Sequence, residues 1–409
     1  MKKLVSLALS AVMACGVTAA LAGCGEEKSS FEKVNKADLK IGLITLHDTS
    51  STYDKNFIEA MYEAAENKGL TKEQVLLVTG VGETEACYNE AKKLASQGCQ
   101  AIFADSFGHE DFMIQAAQEY SNVRFCHATG TKAHTLDMKN FSNAFASIYE
   151  GRYLAGIAAG MKLNEIGSTA ADHVMGYVGA FPYAEVVSGY TSFYLGAKSV
   201  CSDVTMKVRY TGSWYDTDIE HDTAETLIKK DGCKLISQHA DSYGAPNACE
   251  ENKVPNVSYN GSTKAQGPNS YILSSRINWA PYFEYMIDCT MNGERIDADW
   301  TGTIATGSVE LIDLNDSVAA KGTQAAIDAA KKELENGTRF VFADFTYGGG
   351  KTLTADLLAD VNTDDKYTPD TKVVEEKNGK LVFMESKFRA APYFELRVDG
   401  IEELQNAAN

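Results

Sequence analysis

From Leu39 the chain repeats one device: an apolar run of strand length, a polar loop, then a helix with apolar residues along one face. LKIGLITLH is the near-continuous apolar run of a strand buried on both faces of a parallel sheet. NFIEAMYEAAENKGL comes next with helical spacing, VLLVTG is the second strand, and ETEACYNEAKKLASQGC the second helix. AIFADSFG, HEDFMIQAAQEY, VRFCHATG and SIYEGRYLAGIAAGMKL continue the series. Such alternation covers its hydrophobic faces as a parallel sheet with helices on both sides and right-handed crossovers.

The series begins afresh near Met175. MGYVGAF reads as a strand and PYAEVVSGYTSFYLGAK as its helix. Residues 205–242 then read strand, helix, strand: Met206, Val208 and Tyr210 alternate, and Ile219, Ala224, Leu227 and Ile228 carry the helical spacing up to Gly232. Two such series in 409 residues make two lobes, each large enough for its own core. The turn-rich stretches 163–173 and 260–270 are the expected crossings. The expected N-terminal lobe is 38–165 plus about 272–305, and the C-terminal lobe 170–265 plus about 306–409. IATGSVELIDL reads as strands returning along the hinge, and a short helix is expected near 356–360. Paired lobes with several connecting strands enclose a cleft that closes by hinge motion.

In open α/β sheets ligands bind beyond the carboxyl ends of the strands. Those ends carry Tyr53 and Asp54, Ser106 and Phe107, Phe181, Trp214, and Asp241 with Ser242. Trp279, at the start of a helix after the second expected crossing, is placed to reach the same cleft. Flat aromatic surfaces beside an acceptor carboxylate suit a planar, nitrogen-rich ligand such as a purine.

The N-terminus reads as an export signal. Residues 1–23 combine two lysines, an apolar run short for a membrane span and small residues before Cys24. Leu21-Ala22-Gly23-Cys24 resembles a bacterial lipobox, which makes Cys24 the lipidated new N-terminus and 24–37 a polar tether. Work outside the cytoplasmic membrane, anchored by lipid, is the expectation. The formal charge of −18 disfavours nucleic-acid binding, which needs a basic face. After Cys15 and Cys24 are set aside, seven cysteines remain with no C-x-x-C spacing, so scattered buried thiols are expected and a zinc site is not.

IFADSFG, EGRYLAGIAAGM, GYVGAFPYAEVVSGYTSFYLGA, GSWYD, QHADS and NWAPYF occur in an order that resembles the basic-membrane-protein family of ABC-transporter substrate-binding lipoproteins, over about residues 38–345. The resemblance implies a type I periplasmic-binding-protein fold, capture of a purine nucleoside or nucleobase, ABC permease subunits as partners and no cofactor. It implies that Tyr53 and Trp214 stack on the base from opposite lobes. In the nucleoside-binding branch an asparagine stands where Asp54 does, a lysine stands near Asn278 or Trp279, and SYNGS lacks the expected aspartate. These departures tell against ribose recognition, and Trp279 at the helix start with QHADS at a strand end resembles the branch associated with adenine-type bases, so a nucleobase, adenine first, is expected, with a purine nucleoside next. The expected working unit is a monomer.

Other patterns fail on spacing. In GGGKT the leading glycine of a phosphate loop falls on Phe345. The acidic run 216–222 has His221 where a calcium loop needs glycine. His127 and His239 come after strands, but no G-x-S-x-G accompanies them. An exported nucleoside-acting enzyme and a ligand-sensing lipoprotein stay open as alternative functions.

Overall fold

The computed structural model describes residues 31–136, 138–362 and 368–404. The expected signal, Cys24 and the start of the tether lie outside the described residues. From Phe31 the supposed tether is docked instead: Arg124 lies over the Phe31 ring at 4.0 Å, and Val34 N donates to Met291 O.

The first sheet is built from β1 (Ile41–Ile44), β2 (Val75–Val78), β3 (Ala101–Ala104), β4 (Arg124–Ala128) and β5 (Phe141–Ala146), with helices α1 (Thr52–Asn67), α2 (Glu85–Ser96), α3 (Glu110–Glu119) and the single turn α4 (Ala133–Leu136) between them. All of its pairings are parallel, and β1 and β3 are buried along their whole length, as their continuous apolar runs require. Ser51 starts α1 by accepting from Asp54 N, an ordinary N-cap.

The second lobe holds α5 (Ile148–Ile166), β6 (Val174–Gly179), α6 (Ala184–Lys198), β7 (Thr205–Tyr210), α7 (Thr217–Lys229), β8 (Leu235–His239), α8 (Gly244–Asn252), β9 (Asn256–Tyr259) and β10 (Tyr271–Ile277). The chain then returns to the first lobe for α9 (Ala280–Asn292) and β11 (Asp299–Gly302), and comes back for β12 (Val309–Ile312) and α10 (Thr323–Glu335). β11 joins β5 in the first sheet, and β12 lies antiparallel to β10 in the second.

Three passages therefore connect the lobes, at 147, 278–279 and 303–308. They run side by side: Ser147 N donates to Gly302 O and Asn278 N to Ser308 O. The expected crossings at 163–173 and 260–270 are instead loops inside the second lobe. α5 belongs to that lobe because it packs on α6, not on the first sheet. A Cβ on Gly156 would come within 2.0 Å of Phe193 O, and one on Gly196 within 1.9 Å of Tyr153 O, so glycine alone permits this approach of backbones. β10 also lies in the second sheet, paired with β9, so the first lobe resumes after 277, not at 272.

The tail forms three small antiparallel pairs, β13 (Thr346–Tyr347) with β14 (Lys351–Thr352), β15 (Leu358–Ala359) with β16 (Thr371–Lys372), and β17 (Val374–Lys377) with β18 (Lys380–Phe383). The helix expected at 356–360 is thus a strand pair. The last strand, β19 (Ile401–Glu403), runs parallel to β7 and covers that edge of the second sheet. Glu403 accepts there from Tyr190 and Tyr210, each at 2.6 Å.

Candidate ligand-binding cleft

The carboxyl ends of the two sheets face each other across a narrow cavity. Its lining is Leu46, Tyr53, Asp54, Ser106, Phe107 and Thr129 from the first lobe, and Glu185, Trp214, His239 and Asp241 from the second. The structure thus gathers six residues expected from sequence: Tyr53, Asp54, Ser106, Phe107, Trp214 and Asp241. The lobes are closed on one another. Thr52 N donates to the main-chain oxygen of Asp241 at 2.9 Å. At the rim, Phe107 and Tyr183 stack across the gap with ring centres 5.5 Å apart, although each is more than 40 % exposed.

The first-lobe wall is hydrogen-bonded within itself. Tyr53 sends its hydroxyl to Asp105 O at 2.8 Å and packs edge-on against Phe57. Asp54 accepts from His47 N at 2.7 Å and from Ser51 Oγ at 2.5 Å. Burial raises the Asp54 pKa, but the hydrogen bonds from His47 and Ser51 outweigh it and hold the carboxyl below its usual range. Ser106 donates to Glu83 at 2.6 Å, and Thr129 to its neighbour's carbonyl at 2.5 Å. Thr129 sits at φ 63°, a left-handed backbone that a β-branched residue adopts only under constraint.

The second-lobe wall keeps the Asp241 carboxyl for the cavity. The Asp241 carboxyl has no hydrogen-bond partner among the described residues, although its main-chain N–H and C=O are both engaged, with Trp214 O and Thr52. Burial first, then the charges of Asp54, Glu220 and Glu185, push its pKa well above the usual carboxylate range. Glu185 faces His239 Nε2 at 3.3 Å. Burial lowers the His239 pKa, against the opposing pull of Glu185. Trp214 stands against Phe181 edge to face at 5.2 Å.

Three expected residues lie elsewhere. Trp279 is 1 % exposed, stacked on Phe57 at 4.4 Å in the first lobe's aromatic core, because the passage at 278–279 turns its ring inward. Ser242 is buried at the start of α8, where its N–H reaches Glu220 and its hydroxyl accepts from Gly244 N. Phe181 stands behind Trp214, stacked on Tyr183 at 5.1 Å.

Glu185, His239, Thr129 and Leu46 line the cavity without having been expected. His239 and Thr129 do stand at strand ends, a signal present in the sequence; Glu185, in the first turn of α6, reads from sequence only as a helix-start acid. Near His239 lies Arg152, fully buried with no carboxylate partner among the described residues, held by Ser258 O, Ser275, Tyr177 and Ser237 and faced by the Phe193 and Tyr259 rings.

Residues 41–339 match the family model Bmp, described as ABC transporter substrate-binding protein PnrA-like. A purine-binding protein of Brucella abortus is 32 % identical over 271 residues, 64 % of this chain and 72 % of that protein. A Haloferax volcanii protein provisionally named as an ABC transporter glucose-binding protein is 30 % identical over 63 % of each chain. The nucleoside-binding protein BmpA of Lactococcus lactis is 28 % identical over 64 % of this chain and 72 % of its own length. Among solved structures, an ABC transporter solute-binding protein of Conexibacter woesei aligns with a TM-score of 0.59 at 18 % identity, over 74 % of this chain and 97 % of that one. One from Aeropyrum pernix aligns at 0.61 and 15 %, over 75 % and 93 %. These two likenesses bear on the fold, the type I arrangement of solute-binding proteins.

Proposed function

The chain belongs to the Bmp family of PnrA-like ABC transporter substrate-binding proteins, and on that premise we propose that its cleft captures a purine nucleobase, adenine first, for delivery to a permease. The observation that carries this reading is the second-lobe wall: an unpartnered, buried Asp241 carboxyl beside the Trp214 ring, facing Tyr53 and Phe107 across the cavity. A planar heterocycle slides between such rings, and stacking is worth about 1–3 kcal/mol per base. Its N–H groups would give Asp241 the donors it lacks. A buried acceptor left unpaired costs about 1–3 kcal/mol, so a ligand without an N–H at that position is rejected.

Charge argues against a phosphorylated ligand. Among the described residues the cavity lining has no lysine or arginine but includes Asp54, Glu185 and Asp241, so a phosphorylated ligand meets repulsion. The similarity to the purine-binding Brucella protein supports the purine class. Purine nucleoside capture is the second reading, favoured by the similarity to the lactococcal nucleoside-binding protein.

The rest of the proposal is anatomical. The chain works outside the cytoplasmic membrane, held by lipid on Cys24, as a monomer whose closed lobes present the surface read by the permease. No helix among the described residues is long and apolar enough to cross a membrane. A calorimetric comparison of adenine, hypoxanthine, adenosine and glucose tests the ligand. Adenine binding at least tenfold tighter than adenosine is expected; adenosine tighter than adenine would transfer the proposal to nucleosides, and glucose alone binding would end it.

A further inference from the structure

At the opposite end of the second lobe, three side chains from two loops converge. His173 closes the loop leading into β6, and Cys201 and Asp203 lie in the loop leading into β7; Thr205 N donates to His173 O, which holds the loops side by side. His173 Nδ1 is 2.6 Å from Asp203 Oδ1, and Cys201 Sγ is 3.7 Å from the same oxygen. The three donor atoms lie within 4.8 Å of one another. We propose that His173, Cys201 and Asp203 form a three-ligand site for zinc or a chemically similar divalent ion.

The geometry supports more than proximity. His173 Nε2 faces Gly167 O at 3.1 Å, the main-chain partner that fixes a metal-binding imidazole's orientation and leaves Nδ1 for the ion. The Gly167 loop is braced by Asp172, whose carboxylate accepts from both the N–H and the hydroxyl of Thr169. His173 and Cys201 are buried, whereas the Asp203 side chain is 48 % exposed. The exposed carboxylate can move to complete the shell and leaves a fourth position open to water. A sulfur, an imidazole nitrogen and a carboxylate oxygen together suit zinc better than magnesium or calcium, which prefer oxygen alone.

Bond lengths of about 2.0–2.3 Å hold tetrahedral donors roughly 3.3–3.8 Å apart. Loading therefore opens the imidazole–carboxylate pair, draws the sulfur inward and releases the Cys201 thiol proton to water. The spacing H-x27-C-x-D resembles no usual zinc pattern, so the trio is visible only once β6 and β7 are adjacent. Its distance from the cavity along the strands makes it a fastener of the two loops.

Tag-free chain titrated with Zn²⁺ should take up one ion. Co²⁺ should give a near-ultraviolet thiolate charge-transfer band, and X-ray absorption at the zinc edge one sulfur among nitrogen and oxygen neighbours. Cys201→Ser should abolish the band and weaken Zn²⁺ at least tenfold. A zinc shell without sulfur in the unaltered protein, or equal affinity in Cys201→Ser, would overturn the site and leave the trio as an ion pair beside a buried thiol. The absorption measurement needs no variant, so a folding defect in Cys201→Ser would leave its outcome intact.

Discussion

The two walls of the cleft carry similar residues and use them in opposite ways. On the first lobe Tyr53, Asp54, Ser106 and Thr129 all face the cavity with polar atoms already tied to Asp105, His47, Ser51, Glu83 and Ala128. On the second lobe the Asp241 carboxyl faces the same space with no partner among the described residues. One wall is finished by the fold; the other is finished by the ligand. A residue's position at a strand end thus tells where it points, and its hydrogen bonds tell whom it serves.

The largest test of that contrast is Asp241→Ala. A buried hydrogen-bond partner removed from the ligand costs about 1–3 kcal/mol, so adenine should weaken by roughly fivefold to over a hundredfold. Calorimetry should show a smaller loss for hypoxanthine if the carboxyl reads an amino group; equal losses would mean that it contacts something common to both.

Trp214→Ala comes next, with a loss of about tenfold or more, since one stacking surface disappears. Unchanged affinity would remove Trp214 from the site and with it the idea of rings closing from both lobes. Tyr183→Ala is expected to act through closure: it removes a ring pair worth about 0.5–1.5 kcal/mol at the rim. Ligand release in stopped flow should speed up several-fold with little change in association, and an unchanged release rate would show that the rim pair carries no closure energy.

Stability sharpens the contrast further because the two aspartates carry opposite signs. Asp54 has a lowered pKa, so its contribution is present above the unfolded value near 3.8 and fades as pH falls through the folded one. Asp241 has a raised pKa, so the ligand-free protein loses stability as pH rises from that same value toward the folded one. At pH 7 Asp54→Asn should lower the melting temperature while leaving affinity close to normal. Asp241→Asn should raise the melting temperature of the ligand-free protein while weakening adenine. Both variants shifting stability in the same direction would break the comparison. The smallest effect is expected from Ser106→Ala, within about threefold in affinity, because its hydroxyl already serves Glu83.

The wall residues at strand ends are legible because parallel strands announce themselves as apolar runs and deliver the next few residues to the cleft. The features that sequence does not disclose depend on pairing between distant elements. β5, with Phe141, Ser142 and Asn143 among small residues, lacks the apolar run of its neighbours and reads as part of a polar loop; its place between β4 and β11 makes it a strand. The lobe boundaries differ from expectation because α5 is apolar nearly all round, so no polar face shows which sheet it serves; the glycine contact with α6 decides. Trp279 misleads because an aromatic at a helix start looks free until Phe57, Phe103 and Phe145 are seen around it. The tail beyond residue 339 offers short runs without period, and its strands form only as pairs.

Asp241 also meets Thr52 through its main-chain oxygen, and that clasp is indifferent to the side chain attached. Recognition and fastening are therefore separable within a single residue. On the proposed reading, exchanging the carboxyl for an amide or hydroxyl would retune which ligand is accepted while the bolt between the lobes stays in place. A binding protein wired this way can change its cargo without relearning how to shut.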